Sequence, residues 1–153
     1  MTASAVVFLI ATATILAALA FEYLGGYAPC PLCLQERYAY YFAVSASALA
    51  FVLAQGYATG IARILLTLVA LAFIANAIAG VYHSGIEWKW WQGPSNCAGG
   101  FELQWGEGGI VDTPIIRCDE APWRFLGLSF AGWSAVISAF LAAAAGWGAA
   151  QRQ

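Results

Sequence analysis

The sequence predicts an all-α membrane protein: a four-transmembrane-helix bundle with two cysteine-bearing loops on one face, the second long and mostly irregular. Three observations carry this. Apolar residues make up 62% of the chain and charged residues 9%, against about 45–50% and roughly 25% in a soluble domain. Apolar runs near 4–21, 34–54, 61–82 and 125–147 each approach the ~20 residues that a helix needs to cross a bilayer. The cysteines all fall between those runs, in segments of about 22–33 and 83–124. The 153 residues read as one domain.

The first run, Ser4 to Phe21, ends on Ala18-Leu19-Ala20, which looks like a small-residue cleavage site. No Lys or Arg precedes it, so the positively charged region of a cleaved signal is missing and the run is read as a retained span. Glu22 marks the interface, and Gly25-Gly26-Tyr27-Ala28-Pro29 supplies turn residues. The second span opens near Leu34 with the interfacial aromatics Tyr38, Tyr40, Tyr41 and Phe42, then turns to Ala and Ser, which let membrane helices approach closely. Gln55 to Gly60 is a tight reversal. The third span, Ile61 to about Tyr82, carries Asn76 near its middle, expected to make an interhelical hydrogen bond. The segment from His83 to Trp123 holds five of the seven tryptophans, which suits a loop lying on the membrane surface. Phe125 to about Trp147 is the fourth span.

Four spans put both ends of the chain and the reversal on one face and both cysteine loops on the other. Counting Lys and Arg does not favour the cysteine face as the outer one. Arg63 and Arg152 lie on the terminal face, and Arg37, Lys89, Arg117 and Arg124 on the cysteine face. Cysteines confined to one face instead point to an oxidising compartment such as the bacterial periplasm. The net charge of -2, with no basic stripe, argues against a nucleic-acid partner.

The chemistry centres on Cys30-Pro31-Leu32-Cys33-Leu34-Gln35-Glu36-Arg37. Two cysteines three apart at a helix start are reactive because unpaired N–H groups and the helix dipole stabilise a thiolate. Cys33 is expected to lie nearest the first turn. Arg37 follows one turn deeper on the same face, where a guanidinium stabilises a thiolate or negative charge on a bound acceptor. Glu36 either pairs with a base or faces the interface. A non-catalytic tetraspan protein stapled by two structural disulfides is disfavoured, because a staple needs no intramembrane arginine. A zinc site is disfavoured too, because Cys97 and Cys118 are not a second close pair. No metal is expected.

The motif Cys30 to Arg37 ahead of a span, Asn96-Cys97, and the run from Arg117-Cys118 through Trp123 to Trp133 together resemble the DsbB family of bacterial disulfide-forming membrane proteins. The resemblance covers essentially the whole chain. It implies a four-helix protein of the bacterial inner membrane, with cytoplasmic termini and periplasmic cysteine loops. Such a protein reoxidises a periplasmic DsbA-type thioredoxin-fold partner and passes electrons to a membrane quinone, ubiquinone or menaquinone. It further implies that Cys97 is attacked by the partner, that Cys118 is its disulfide partner, and that electrons reach Cys30 and Cys33 by exchange at Cys30. Cys33 and Arg37 would face the quinone, with His83 nearby and Trp133 near the exchange. A quinone suits the energetics. A DsbA-type partner is already oxidising at about -120 mV, and each ~30 mV of a two-electron couple is about 1.4 kcal/mol, so cysteine relays alone would run uphill.

Two related activities compete: a vitamin K epoxide reductase type, whose Cys-x-x-Cys comes late in the chain, and an oxidoreductase serving a dedicated partner. One departure from the family pattern stands out. The stretch between Cys97 and Cys118 is poor in helix formers, which puts in doubt the short surface helix that family members can carry there.

Overall fold

The computed structural model describes residues 2–56, 58–97, 101–106, 109–114 and 117–151. Helices α1 (Thr2–Tyr23), α2 (Pro31–Ala54), α3 (Thr59–Glu87) and α4 (Phe130–Ala150) are all long and apolar enough to cross a membrane. α1 packs on α2 and α4, and α3 packs on the same two, closing a ring. Neighbours run antiparallel. At one end Phe21 of α1 meets Phe130 of α4; at the other, Gly148 of α4 lies against Ala3 of α1 and Leu66 of α3.

The bundle is small-residue inside and large-residue outside, as expected where lipid, not water, is the surrounding solvent. Ala11, Ala43, Ala50 and Ala145 are fully buried, while Leu9, Leu16, Ile64 and Ile78 are well exposed. A Cβ on Gly80 would lie 3.0 Å from the Ala131 carbonyl oxygen, so glycine sets the α3–α4 spacing there. Asn76 donates from Nδ2 to Ser138 Oγ of α4 at 3.0 Å, and the same hydroxyl meets Tyr40 of α2 at 3.2 Å. The interhelical role expected of Asn76 is therefore filled by a three-helix polar knot.

Three boundaries differ from the sequence reading, each for a local reason. α2 starts at Pro31, not Leu34, because proline is well suited to a first helical position and Cys30 caps the helix. α3 continues to Glu87, beyond Tyr82; its 29 residues span about 43 Å at 1.5 Å each, against a hydrocarbon layer of about 30 Å. α4 starts at Phe130, not Phe125. Ahead of it the chain makes a minimal antiparallel pair, β3 (Arg124–Phe125) with β4 (Leu128–Ser129). Leu126 (φ 52°) and Gly127 (φ 83°) supply the two left-handed positions such a two-residue turn requires. Ser129 then caps α4, its Oγ accepting from Gly132 N at 3.2 Å.

The long loop, expected to be mostly irregular, carries more order than that. A 3₁₀ turn covers Ser95–Cys97, and β1 (Phe101–Gly106) pairs antiparallel with β2 (Gly109–Pro114), from Phe101 opposite Pro114 to Gly106 opposite Gly109. The composition that disfavours a surface helix, with Ile110, Val111 and Thr113 close together, favours strand pairing. Gly99-Gly100 and Gly108 lie outside the described residues, as does Tyr57 in the reversal.

Candidate active site

The α2 N-terminus assembles the first cysteine pair. Cys30 is the N-cap residue, in extended conformation, and its Sγ accepts from Cys33 N at 3.2 Å. The two sulfurs lie 2.6 Å apart as free thiols. The sequence reading put Cys33 nearest the first turn; with the helix starting at Pro31, Cys33 lies within that turn and Cys30 caps it, the Cys33 N–H pointing back at the Cys30 sulfur. The Cys33 thiol, helped by that N–H, draws the Cys30 pKa below its ordinary value against the opposing effect of burial. Stabilisation of a thiolate by a helix start is the expected physics.

The long loop brings the second pair onto the first. Trp91 folds back over Gly85 of α3, where any side chain would collide with the indole, and its Nε1 donates to Tyr82 O at 2.9 Å. Gly93 packs against Ile86 and Cys97. Lys89, in a left-handed conformation, reaches Asp119 Oδ2 at 2.5 Å, and Arg117 grips both oxygens of the same carboxylate at 2.9 Å. Arg117 first and Lys89 second hold the Asp119 carboxyl well below the usual carboxylate range. The clamp ties the residue after Cys118 to the end of α3. Cys97 and Cys118 are joined in a disulfide and form one buried cluster with Cys30, against which Cys33 packs. Cys118 Sγ, Cys30 Sγ and a His83 ring nitrogen all lie within 4.8 Å of one another. With Cys118 bonded to Cys97, this trio lacks the second thiolate that would make it a metal cage.

The sequence reading missed much of the polar surround. His83 and Glu36, 2% and 6% exposed, pair through Nδ1 and Oε1 at 2.9 Å, and His83 Nε2 faces Cys30 Sγ at 3.6 Å. Of the two options for Glu36, pairing with a base is the one adopted. Arg37 is hydrogen-bonded to Glu22 at the end of α1. An acid fifteen residues before an arginine has no helical register with it, so this pair was not readable from spacing. Trp133 donates from Nε1 to Phe125 O at 3.1 Å, which fastens the β3–β4 turn to α4.

A cavity of about 360 Å³ lies beside these groups. Phe21, Trp123 and Phe130 form aromatic walls, and Cys30, Cys33, Arg37, His83 and Trp133 all reach it. Glu87 and Ser134 also line it, and Glu87 Oε2 and Ser134 Oγ are buried with no hydrogen-bond partner among the described residues. Apolar walls with a few convergent polar groups are the usual make-up of a small-molecule site. The two orphaned oxygens call for a ligand carrying polar atoms at its edge. A flat, mostly apolar ring suits the walls, and the Ser134 hydroxyl can donate to an oxygen on its rim.

Comparison with known proteins agrees with this geometry. Residues 1–148 match the family described as disulfide bond formation protein DsbB. A disulfide bond formation protein B of Marinobacter nauticus is 32% identical over 144 residues, covering 88% of this chain and 83% of that protein. An uncharacterised protein of Rickettsia prowazekii is 25% identical over 123 residues, covering 76% and 69%. No solved structure matches. A match over nearly the whole length, on a multi-pass bundle that gathers four cysteines at one end, shows that the chain belongs to the DsbB family of disulfide bond formation membrane proteins.

Proposed function

We propose that the protein is a quinone-dependent protein-disulfide oxidase of a bacterial inner membrane. It reoxidises a DsbA-type thioredoxin-fold partner on the periplasmic side, and its termini face the cytoplasm. The observation that carries this reading is the convergence of Cys97–Cys118, Cys30 and Cys33 beside a cavity with an arginine at its rim. A structural staple needs no second, open dithiol next to it. Membrane lipid surrounds the bundle, and quinone enters from it.

The electron path then has balanced steps. A partner thiolate attacks Cys97, the Cys97–Cys118 bond breaks, and Cys118 leaves as a thiolate. Cys118 attacks Cys30 in the oxidised form of the first pair, and Cys33 leaves. The partner's second thiol attacks its sulfur in the mixed disulfide, freeing Cys97 and releasing oxidised partner. Cys97 then attacks Cys118, restoring the loop disulfide and leaving Cys30 and Cys33 as the dithiol. The thiol state of Cys30 and Cys33 beside a closed loop disulfide corresponds to this last stage. A bound quinone supplies a two-electron, two-proton acceptor. Arg37 offers positive charge at the cavity rim, and its pairing with Glu22 fixes where that charge sits. Cys33, one turn before Arg37, hands electrons across.

The test uses detergent-solubilised protein, reduced DsbA-type partner and a soluble quinone. Quinone reduction should depend on Cys33, and Arg37→Ala should weaken quinone use while loop exchange with the partner persists. Unchanged turnover in Cys33→Ala would refute the assignment. A Cys118→Ala variant traps the partner on Cys97, which separates a general DsbA-type partner from a dedicated one.

A further inference from the structure

We propose that Cys30, His83 and Glu36 form a buried acid–base triad in which His83 takes and returns the Cys30 thiol proton while Glu36 sets the imidazole for that task. The place of this triad in turnover rests on the relay described above; its chemistry does not require the partner or the quinone.

The geometry carries the proposal. Cys30, His83 and Glu36 are 3%, 2% and 6% exposed, so water is not the ready base or acid for this thiol. An ionised carboxylate only accepts hydrogen bonds. The 2.9 Å contact between Glu36 Oε1 and His83 Nδ1 therefore puts the ring proton on Nδ1 and leaves the Nε2 lone pair toward Cys30 Sγ, 3.6 Å away. A nucleophile, a base and a group that orients the base is the general arrangement for activating a thiol. His83 touches the reacting sulfur and is catalytic in this sense; Glu36 acts through it and is a positioning residue. Neither an interfacial histidine nor an isolated ion pair would need the third member.

Other charged groups face the same site from several elements. α2 contributes Cys33 and Arg37, the latter paired with Glu22 of α1. α3 contributes Glu87, one turn beyond His83, and the loop contributes Arg117 and Glu120 at the cavity wall, with Arg124 acting on Glu87. α4 lines the cavity with no charged side chain.

Closure of the first disulfide shows the triad's use. The Cys30 S–H bond breaks and its proton passes to His83 Nε2. The sulfur–sulfur bond to Cys33 forms, and two electrons with the Cys33 proton leave to the quinone acceptor. The proton on His83 follows into the cavity that His83 itself lines. Two electrons and two protons depart for one bond made. When Cys97 later displaces Cys30 from Cys118, the proton given up by the attacking Cys97 thiol passes by way of His83 to the departing Cys30 sulfur.

The test uses the full chain with the loop disulfide intact and Cys33→Ala, leaving Cys30 as the single free thiol. Its alkylation by iodoacetamide is followed against pH in quinone-free protein. With His83 present, reactivity should persist well below the ordinary thiol range; His83→Gln should lower the rate near neutral pH about tenfold, the equivalent of about one pKa unit. Glu36→Gln should shift the profile the same way by less, and Glu36→Asp should restore part of it. Far-ultraviolet thiolate absorbance, taken as a difference from Cys30→Ser, gives the same profile without reagent access. Superimposable profiles for His83→Gln and its parent by both readings would overturn the triad while leaving the relay intact. Quinone reduction that survives Cys33→Ala would overturn the relay while leaving this profile unchanged.

Discussion

Gly85→Ala isolates the contact that seats the long loop on α3. An added Cβ would lie 2.0 Å from Trp91 Cζ2 and 2.5 Å from Cε2, so the indole must leave. Two favourable contacts go with it. The Nε1 hydrogen bond to Tyr82 O at 2.9 Å is worth about 1 kcal/mol, and the stack on Tyr82 at 5.9 Å and 10° about another 1 kcal/mol. Against this, alanine is a better helix residue than glycine by about 1 kcal/mol. The net expectation is destabilisation by about 1 kcal/mol, taking those three values together. In a Trp91→Ala background the collision is gone and only the helix preference remains, so the same substitution should stabilise by about 1 kcal/mol. The coupling across the cycle is then about 2 kcal/mol. Reversible unfolding in mixed detergent micelles measures all four corners, and indole fluorescence reports the displaced ring. Equal effects of Gly85→Ala in both backgrounds would refute the packing argument.

Two further substitutions probe the bundle and the loop clamp. Ser138→Ala leaves the buried Asn76 amide without its acceptor and Tyr40 without its nearer partner; it should cost about 1–2 kcal/mol in the same unfolding assay, and pairing it with Asn76→Leu should cost less than the sum. Asp119→Asn should speed reduction of Cys97–Cys118 by a soluble dithiol, most at low salt. Because the folded Asp119 pKa lies below its unfolded value, its contribution is complete above the unfolded pKa and fades as pH falls through the folded one. The variant-to-wild-type rate ratio should therefore be constant from about pH 5 to 8 and fall toward one in strong acid.

The bundle was legible because it follows from one-dimensional properties. Length and apolar content of each run suffice to identify spans, and cysteine positions suffice to put both loops at one end. Cys30, Cys33 and Arg37 were legible for a similar reason: they lie within two turns of one helix, where spacing is geometry. The helix starts were less so, because caps compete locally. Pro31 and Ser129 decided them, together with the Leu126-Gly127 turn. The His83–Glu36 and Arg37–Glu22 pairs were hidden because each joins two helices whose rotation is set by packing, here by residues such as Gly80 against Ala131. The only signal was that Glu36, at the mouth of a span, needed a partner. The order in the long loop was masked by its glycines, which disfavour helix and say little against a hairpin.

The depth of the sulfurs sets a condition on traffic. Cys97 and Cys118 are each 1% exposed and Cys30 is 3% exposed, so in this closed form no dissolved thiol can align with the loop disulfide. In the relay proposed above, the loop disulfide is then the insulated contact: exchange runs between neighbouring sulfurs, while burial keeps dissolved reductants from Cys97 and Cys118. Contact must be made by something that prises the Trp91 flap or the Asp119 clamp from the end of α3. Under that proposal, selectivity for a reductant comes from who can lift the loop, and the contacts that seat it on α3 would double as the switch on the circuit.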